Sequence, residues 1–421
     1  MKKVVILGGG FAGLLTARHL VKSGAVDKLC EVTVIDAQKA HVYTPWLYEA
    51  ATGALRGETQ ATKHKMLATA SFPYADLPGF KGVRFLHQRI EGVDLATKHV
   101  LLEGKRQIPY DVLVVALGAE PNYFGIPGLP EHALELKRLH DAQKIHDAIV
   151  RLFDVATTSQ PKHILIAGAG PNGVEFVSEL ANSICLLGQH ARIQPGSIKI
   201  TLVDPSPELF TIFAPTLRKR AVARLTHLGV DLKPGLRVSE VGLGFVKAFT
   251  FSVKSQDTIS LPADLCIWSA GVKVNSLVAG LPLLKDDRGR VVLENTYMVA
   301  SHQGVFAAGD CAVLINPHTG KADPQSAQVA HYQTHDLAKN ILRYLKGKPM
   351  KPAHLPKRWA FFSALGGVCA AGTLGGFQFW GYPAFLLRRV SDLYYFLFLL
   401  PPLMAIKVWF IGVRLYHKND C

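Results

Sequence analysis

The chain has 421 residues, 49% of them hydrophobic and 19% charged, which supplies enough apolar side chain for packed cores and excludes a disordered, collagen-like or disulfide-dense module. At roughly 100–200 residues per domain, two to three domains of a large globular enzyme are expected. The net charge of +15 is uneven: residues 343–421 carry eleven Lys and Arg against Asp392 and Asp420, so +9 of it lies there, and the bulky apolar filling of Leu393–Leu400 points to an anionic lipid surface and away from nucleic acid.

Two lysines and an apolar run superficially resemble a secretory leader at the start. Glycines at fingerprint spacing follow and the chain runs into a strand, so no cleaved peptide is expected. Lys3–Leu7 reads as a strand, Gly8–Gly13 as a Gly-rich turn, Leu14–Ser23 as a helix and Val32–Ile35 as a second strand, a β-turn-α-β unit with a buried parallel sheet. After the strand Val112–Ala116, the Pro- and Gly-rich stretch Pro121–Pro130 and a charged helical stretch, Glu131–Phe153, mark a crossover. A second unit follows: strand His163–Ala167, turn Gly168–Gly173, helix Val174–Ile184 and strand Ile200–Val203. A late strand and turn, Gly304–Asp310, precede a helical pattern over Ala327–Leu345.

The expected fold class is α/β, with two doubly wound Rossmann-like dinucleotide-binding domains. The first is discontinuous, 1–125 and 295–350, with the second, 126–294, inserted. Residues 351–421, Pro-punctuated, aromatic and basic, read as a C-terminal amphipathic segment for membrane docking or dimerisation.

Gly8-x-Gly10-x-x-Gly13 follows a strand and opens a helix, and Asp36 ends the next strand 23 residues past Gly13. Gly8 allows the tight turn, Gly10 lets backbone N–H groups approach a pyrophosphate, Gly13 allows close helix-strand packing, and Asp36 can accept from ribose hydroxyls. Gly168-x-Gly170-x-x-Gly173 repeats the pattern, with Asp204 in the place of Asp36. Asp204 repels a 2′-phosphate and no arginine immediately follows it, so NADH is favoured over NADPH. The six cysteines show no C-x-x-C pair and no metal-ligand spacing, so neither a disulfide framework nor a metal site is expected, and a reducing setting fits.

In the tail, Leu393–Ile406 is 14 residues long and broken by Pro401-Pro402, short of the ~20 needed to span a bilayer. Lys407, Arg414 and Lys418 fall in one helical stripe with Trp409, Phe410 and Val413 elsewhere on the cylinder, the pattern of an interfacial helix.

Taken together, VVILGGGFAGL from Val4, VTVIDAQKAHVYTPWLYEAATG from Val32, DVLVVALGAEPNYFGIPG from Asp111, ILIAGAGPNGVEFVSELA from Ile164, WSAGV from Trp268, VFAAGDCA from Val305 and SAQVAHYQTHDLAKNI from Ser326 resemble the type II NADH dehydrogenases. These are single-subunit, non-pumping NADH:quinone oxidoreductases of the two-dinucleotide-binding-domain flavoprotein superfamily. The resemblance implies noncovalent FAD at Gly8, Gly10, Phe11, Ala12, Gly13, Asp36, Thr44, Pro45, Ala116, Gly118, Gly309, Asp310 and Gln328. It implies NADH as substrate at Gly168, Gly170, Pro171, Asn172, Gly173, Glu175, Asp204, Ala270 and Gly271.

It further implies Glu175 at the hydride-transfer site, and a membrane quinone at Gln328, Val329 and Tyr332. A homodimer peripheral to the cytoplasmic face of the cell membrane completes what is implied. Read from its chemistry alone, Gln328 is a neutral donor and acceptor suited to either partner, and Glu175 could equally be a dipole-stabilising acid in a helix's first turn. The chain departs from the family in having Tyr332 where Gln is usual and Leu365-Gly366 where a Lys-Gly pair is usual, which removes a positive charge expected to stabilise reduced flavin. His41 and His331 are candidate proton donors because a free imidazole titrates near neutrality, but among seventeen histidines a satisfied or surface role outweighs it.

A sulfide:quinone oxidoreductase would need a redox cysteine pair at the flavin, and a soluble disulfide reductase a close pair after the first helix, where residues 31–60 have none. A non-catalytic FAD- or NAD-binding sensor would keep both fingerprints without turnover.

Overall fold

The computed structural model describes residues 1–56, 69–190, 192–250, 258–416 and 421. The chain opens with β1 (Lys2–Leu7), α1 (Phe11–Lys22), β2 (Cys30–Asp36), a short α2 (Leu47–Thr52), β3 (Val83–His87) and β4 (Val112–Val115). It continues through β5 (Ala133–Glu135), α3 (Leu139–Val155), β6 (Lys162–Ala167), α4 (Pro171–Gln189), β7 (Ile198–Asp204), α5 (Pro215–His227), β8 (Val230–Pro234) and β9 (Leu265–Trp268). Then come β10 (Val305–Ala307), α6 (Ala327–Leu345), the strands β11 (Phe361–Ala364), β12 (Ala370–Leu374) and β13 (Phe377–Gly381), and the helices α7 (Tyr382–Leu399) and α8 (Pro402–Tyr416).

Two five-stranded parallel sheets organise the molecule, ordered β10-β4-β1-β2-β3 and β5-β9-β6-β7-β8. Their inner strands are continuous apolar runs because both faces are covered: Val4, Val5, Ile6 and Leu7 are buried, as are Ile164, Leu165, Ile166 and Ala167. The late strand β10 returns the chain to the first sheet after the second is complete. In each sheet the Gly-rich turn leaves the carboxyl end of the central strand, where doubly wound sheets open a crevice for ligands.

The stretch expected to be helical over Glu131–Phe153 is divided. Glu131 and His132 end a short helical turn, Leu129–His132, the next three residues form β5, paired in parallel with Cys266–Trp268, and the long helix starts only after Arg138, whose backbone N–H donates to the Asp141 carboxylate at 2.7 Å. Tertiary pairing at a sheet edge overrides the helical pattern here.

The tail departs further from expectation. The apolar run over Leu393–Ile406 is two helices joined at Leu400-Pro401, and α7 starts well before that run, at Tyr382. It is an integral part of the core: Phe385, Tyr395, Phe396 and Leu399 are buried, together with Arg388, Arg389 and Asp392. Trp409, expected to face lipid, turns inward, its indole Nε1–H donating to the Arg389 carbonyl at 2.7 Å. Gly412 lets α8 approach the Trp46 indole, where a side chain would collide. Lys407, Phe410 and Arg414 remain exposed, and Lys418 lies outside the described residues. Among the described residues, no helix is long and apolar enough to cross a membrane.

No disulfide framework forms among the described residues, but one bond unforeseen from cysteine spacing does. Cys185 on α4 is bonded to Cys421, 236 residues away, with Cα atoms 6.1 Å apart, and the Cys421 N–H donates to the Asn182 side chain at 3.1 Å. A pairing between the middle and the end of a chain leaves no trace in cysteine spacing, because only folding brings the two together.

Candidate active site

Both Gly-rich turns are built alike. Gly8 and Gly168 have φ of +95° and +105°, a region closed to most side chains, and lie against the backbone of Ala116 and Ala270. Gly13 and Gly173 each face the carbonyl of the first glycine, where any Cβ would collide. The Gly9 N–H donates to Asp36 at 2.6 Å and the Ala169 N–H to Asp204 at 2.7 Å. Gln38 and Ser206 donate their N–H groups to the other carboxylate oxygens, at 2.6 and 2.8 Å. Each acid is thus fixed at its strand end with lone pairs left for ribose hydroxyls. Gly10 and Gly170 have nothing within 4 Å of where a Cβ would stand, the open space a pyrophosphate requires over a helix N-terminus. On this geometry both turns fit dinucleotides.

The turns flank a cavity of about 2050 Å³, about twice the upper size usual for a single small-molecule site. Its wall takes Phe11, Thr44, Pro45 and Asp310 from the first half, Gly168, Gly170, Pro171, Asn172, Glu175, Asp204, Ala270 and Gly271 from the second, and Gln328 and Tyr332 from α6. Gly8, Gly10, Ala12, Gly13, Asp36, Ala116, Gly118 and Gly309 lie outside that wall. Gly9 is crowded by Tyr74, whose hydroxyl donates to the Gly9 carbonyl at 3.0 Å and approaches Asp36 at 3.4 Å. Gly173 underlies its turn. Val329 is buried beside Gly309, Ala330 and Gln333, so of the three residues expected at the quinone it alone misses the cavity.

Asp310 sits in a turn whose Gly309 N–H donates to Gln333 at 2.9 Å and whose Asp310 carbonyl accepts from the Gln325 amide at 2.7 Å. Burial pushes its carboxyl pKa up, with Lys137 opposing. Gln328 lies in the first turn of α6, which is capped by Ser326, whose hydroxyl accepts the Val329 N–H. Tyr332, 40% exposed, stands edge-on to Trp359 at 5.2 Å.

Glu175 is buried at the cavity wall. Desolvation raises its pKa, and Arg388 together with the Ala364 N–H, donating at 3.1 Å, opposes the rise. Arg388 was not legible as a site residue. Its Nε donates to Glu175 at 3.3 Å and its Nη2 to the Pro45 carbonyl at 3.2 Å, so one guanidinium from α7 joins the two halves of the cavity. Leu365, by contrast, is fully buried away from the cavity, its carbonyl accepting from Arg224. The guanidinium at this part of the cavity wall is that of Arg388, and it is already paired with Glu175. The signal in the sequence was an adjacent Arg388-Arg389 pair with Asp392 in an otherwise apolar helix.

Those charges form one buried cluster. Arg389 donates to Glu49 at 2.7 Å and lies 3.5 Å from Asp392, and Arg388 lies 3.7 and 3.8 Å from the same two carboxylates. Tyr43 and Trp46 donate to Asp392 at 2.7 and 3.0 Å, and Tyr48 to Glu49 at 2.7 Å. Charges removed from water persist only when paired in this way. His41 is satisfied in the core: its Nδ1–H donates to the Gly9 carbonyl at 3.1 Å, its Nε2 accepts the Tyr395 hydroxyl at 2.6 Å, and burial pulls its pKa down to about 4. Cys30, Cys266, Cys311 and Cys369 are buried and outside the disulfide, and among the described residues no cysteine lines the cavity and no cluster suits a metal.

The chain is 29% identical over 405 residues to the type II NADH:quinone oxidoreductase of Staphylococcus aureus strain NCTC 8325, covering 93% of this chain and 94% of that one. Identity to the Staphylococcus saprophyticus enzyme of the same name is 29% over 401 residues, with the same coverage. In fold it resembles NDH2 from Plasmodium falciparum in complex with NADH, with a TM-score of 0.81, 16% identity and 99% of each chain covered. It also resembles the sulfide:quinone oxidoreductase of Aquifex aeolicus, with a TM-score of 0.72, 18% identity and coverage of 94% and 91%. Residues 2–334 match the pyridine nucleotide-disulphide oxidoreductase family, and with most of the chain so matched and both dinucleotide turns in place, the protein belongs to that family.

Proposed function

We propose that this protein is a type II NADH:quinone oxidoreductase, with FAD held by the first Gly-rich turn and NADH by the second. The carrying observation is that two identically built turns flank one cavity in which Glu175, Arg388, Thr44-Pro45 and Gln328 come together. FAD, when bound, accepts hydride from NADH and passes the electrons to a quinone.

The chain's share is positioning and electrostatics. Asp204 bonds a free ribose 2′-hydroxyl and repels a phosphate there. Glu175, held by Arg388 and the Ala364 N–H, orients the nicotinamide edge and can hold a proton because its burial favours the neutral form. Arg388 places a fixed positive charge beside Pro45, and Gln328, donor and acceptor at once, separates the cofactor side from the quinone side. The quinone side is Gln328 and Tyr332, and the buried Val329 supports the turn behind them. No bundle of spanning helices for pumping is present among the described residues.

The lipid-facing surface is formed by α7 and α8, with Lys407, Phe410 and Arg414 on it. The resemblance carries over a homodimer and the cytoplasmic face of the cell membrane. Sulfide chemistry finds no cysteine in the described cavity wall. Anaerobic titration tests the reading: NADH should bleach the flavin spectrum and a quinone should restore it. Bleaching without recovery would leave a NADH-binding flavoprotein with another acceptor, and no bleaching would exclude the reading.

A further inference from the structure

The surface at the α7–α8 hairpin is apolar and uncovered. Along α7, Tyr382, Leu386, Val390, Tyr394 and Leu397 follow at intervals of four, four, four and three, and are 42–66% exposed. At the hairpin, Leu403 is 86% and Met404 42% exposed. Single exposed hydrophobics are ordinary, but a contiguous row this long is an interaction surface.

Its rim on one side comes from a different part of the chain. The Lys22 ammonium of α1 lies 4.1 Å over the Phe398 ring, and the Arg18 guanidinium one turn earlier donates to the Phe398 carbonyl at 3.4 Å. Both therefore stand at the last turn of α7, next to Leu397. Behind them His19 packs on Phe398 at 4.6 Å and on His335 at 5.3 Å, and His331 packs on Phe398 at 5.2 Å. Burial first, and then His335, His331, Lys22 and Lys339, push the His19 pKa down to about 3. Asp336, the carboxylate at this rim, is engaged by His335 at 3.1 Å and by the His354 N–H at 2.7 Å.

We propose that Lys22 and Arg18 of α1 form a cradle for the phosphate headgroups of an anionic bilayer into which the hairpin tip at Leu403 and Met404 inserts. This rests on, and deepens, the membrane-docking part of the function proposed above. It assigns the headgroup contacts to the nucleotide-binding body of the protein, outside the C-terminal basic stripe. A bilayer supplies both complements at once, acyl chains for the hairpin and phosphates for the rim.

The test uses full-length, flavin-loaded protein and vesicles of phosphatidylcholine with or without phosphatidylglycerol. Lys22→Gln should weaken binding to the phosphatidylglycerol vesicles about fivefold, Lys22→Glu more, and both should flatten the salt dependence. Binding to pure phosphatidylcholine should not change. Leu403→Glu, at a position too exposed to disturb the core, should weaken binding to both vesicles. Parent-like binding of Lys22→Glu to anionic vesicles would overturn the cradle while leaving docking intact. An equal loss on both vesicles would overturn it as well, since the effect would not be electrostatic. Full-length protein that binds neither vesicle would instead overturn the membrane reading itself, and a change of oligomeric state in Leu403→Glu without any vesicle effect would hand the surface to a second copy.

Discussion

Arg388→Leu is the most informative single substitution. In the parent, Glu49, Glu175 and Asp392 share Arg388 and Arg389 in a cluster whose members are almost wholly buried. Removing Arg388 leaves three carboxylates on one guanidinium, and breaking a buried pair in this way costs about 3–5 kcal/mol. Glu175→Gln in the same background returns the balance to two carboxylates on one guanidinium and should recover about 0.5–3 kcal/mol, a coupling that a double-mutant cycle isolates. The pH dependence gives an independent sign. The folded Glu175 carboxyl has its pKa raised above its ordinary 4.5, by burial first, so the folded state binds its proton more tightly than the unfolded chain. Its contribution is complete below pH 4.5 and is lost as pH rises through the higher folded value. Without Arg388 the rise in pKa is less opposed, so stability should fall more steeply on the neutral side, and Glu175→Gln should remove that slope. Urea unfolding of the flavin-loaded variants across pH measures all of this. An Arg388→Leu protein within about 1 kcal/mol of the parent, or a double variant no better than the single one, would refute the argument.

Asp204→Asn keeps the size of the side chain that caps Ala169 and Ser206 but removes its charge, so the NADH/NADPH preference should narrow, mainly through the KM for NADH; an unchanged ratio would make Asp204 a bystander. Gly10→Val fills the open space over α1 and should yield protein purified without flavin, read directly from the absorbance spectrum. Reduction should lower the Tm of the parent by several degrees and leave Cys421→Ser unmoved, because the Cys185–Cys421 bond closes a 236-residue separation and such closures contribute up to about 5 kcal/mol.

The sequence by itself determined the two dinucleotide-binding units, because each is written locally. A β-branched strand, glycines at spacings dictated by a turn and a helix packed on its strand, and an acid at the next strand end all fall within one β-turn-α-β stretch. The preference for NADH followed from Asp204 in the second of these patterns, and FAD from the family resemblance. Tertiary structure alone decided what depends on long separations. Arg388 meets Glu175 across 213 residues, and nothing near either residue announces the partner. The Glu131–Phe153 stretch became partly strand because a sheet edge was available to it. Trp409 reads as a lipid anchor by composition, yet it faces inward, because α8 docks where Gly412 meets Trp46 and the Arg389 carbonyl offers its indole an acceptor. A helical wheel shows which residues share a face; which face is buried is settled by the surface the helix packs against.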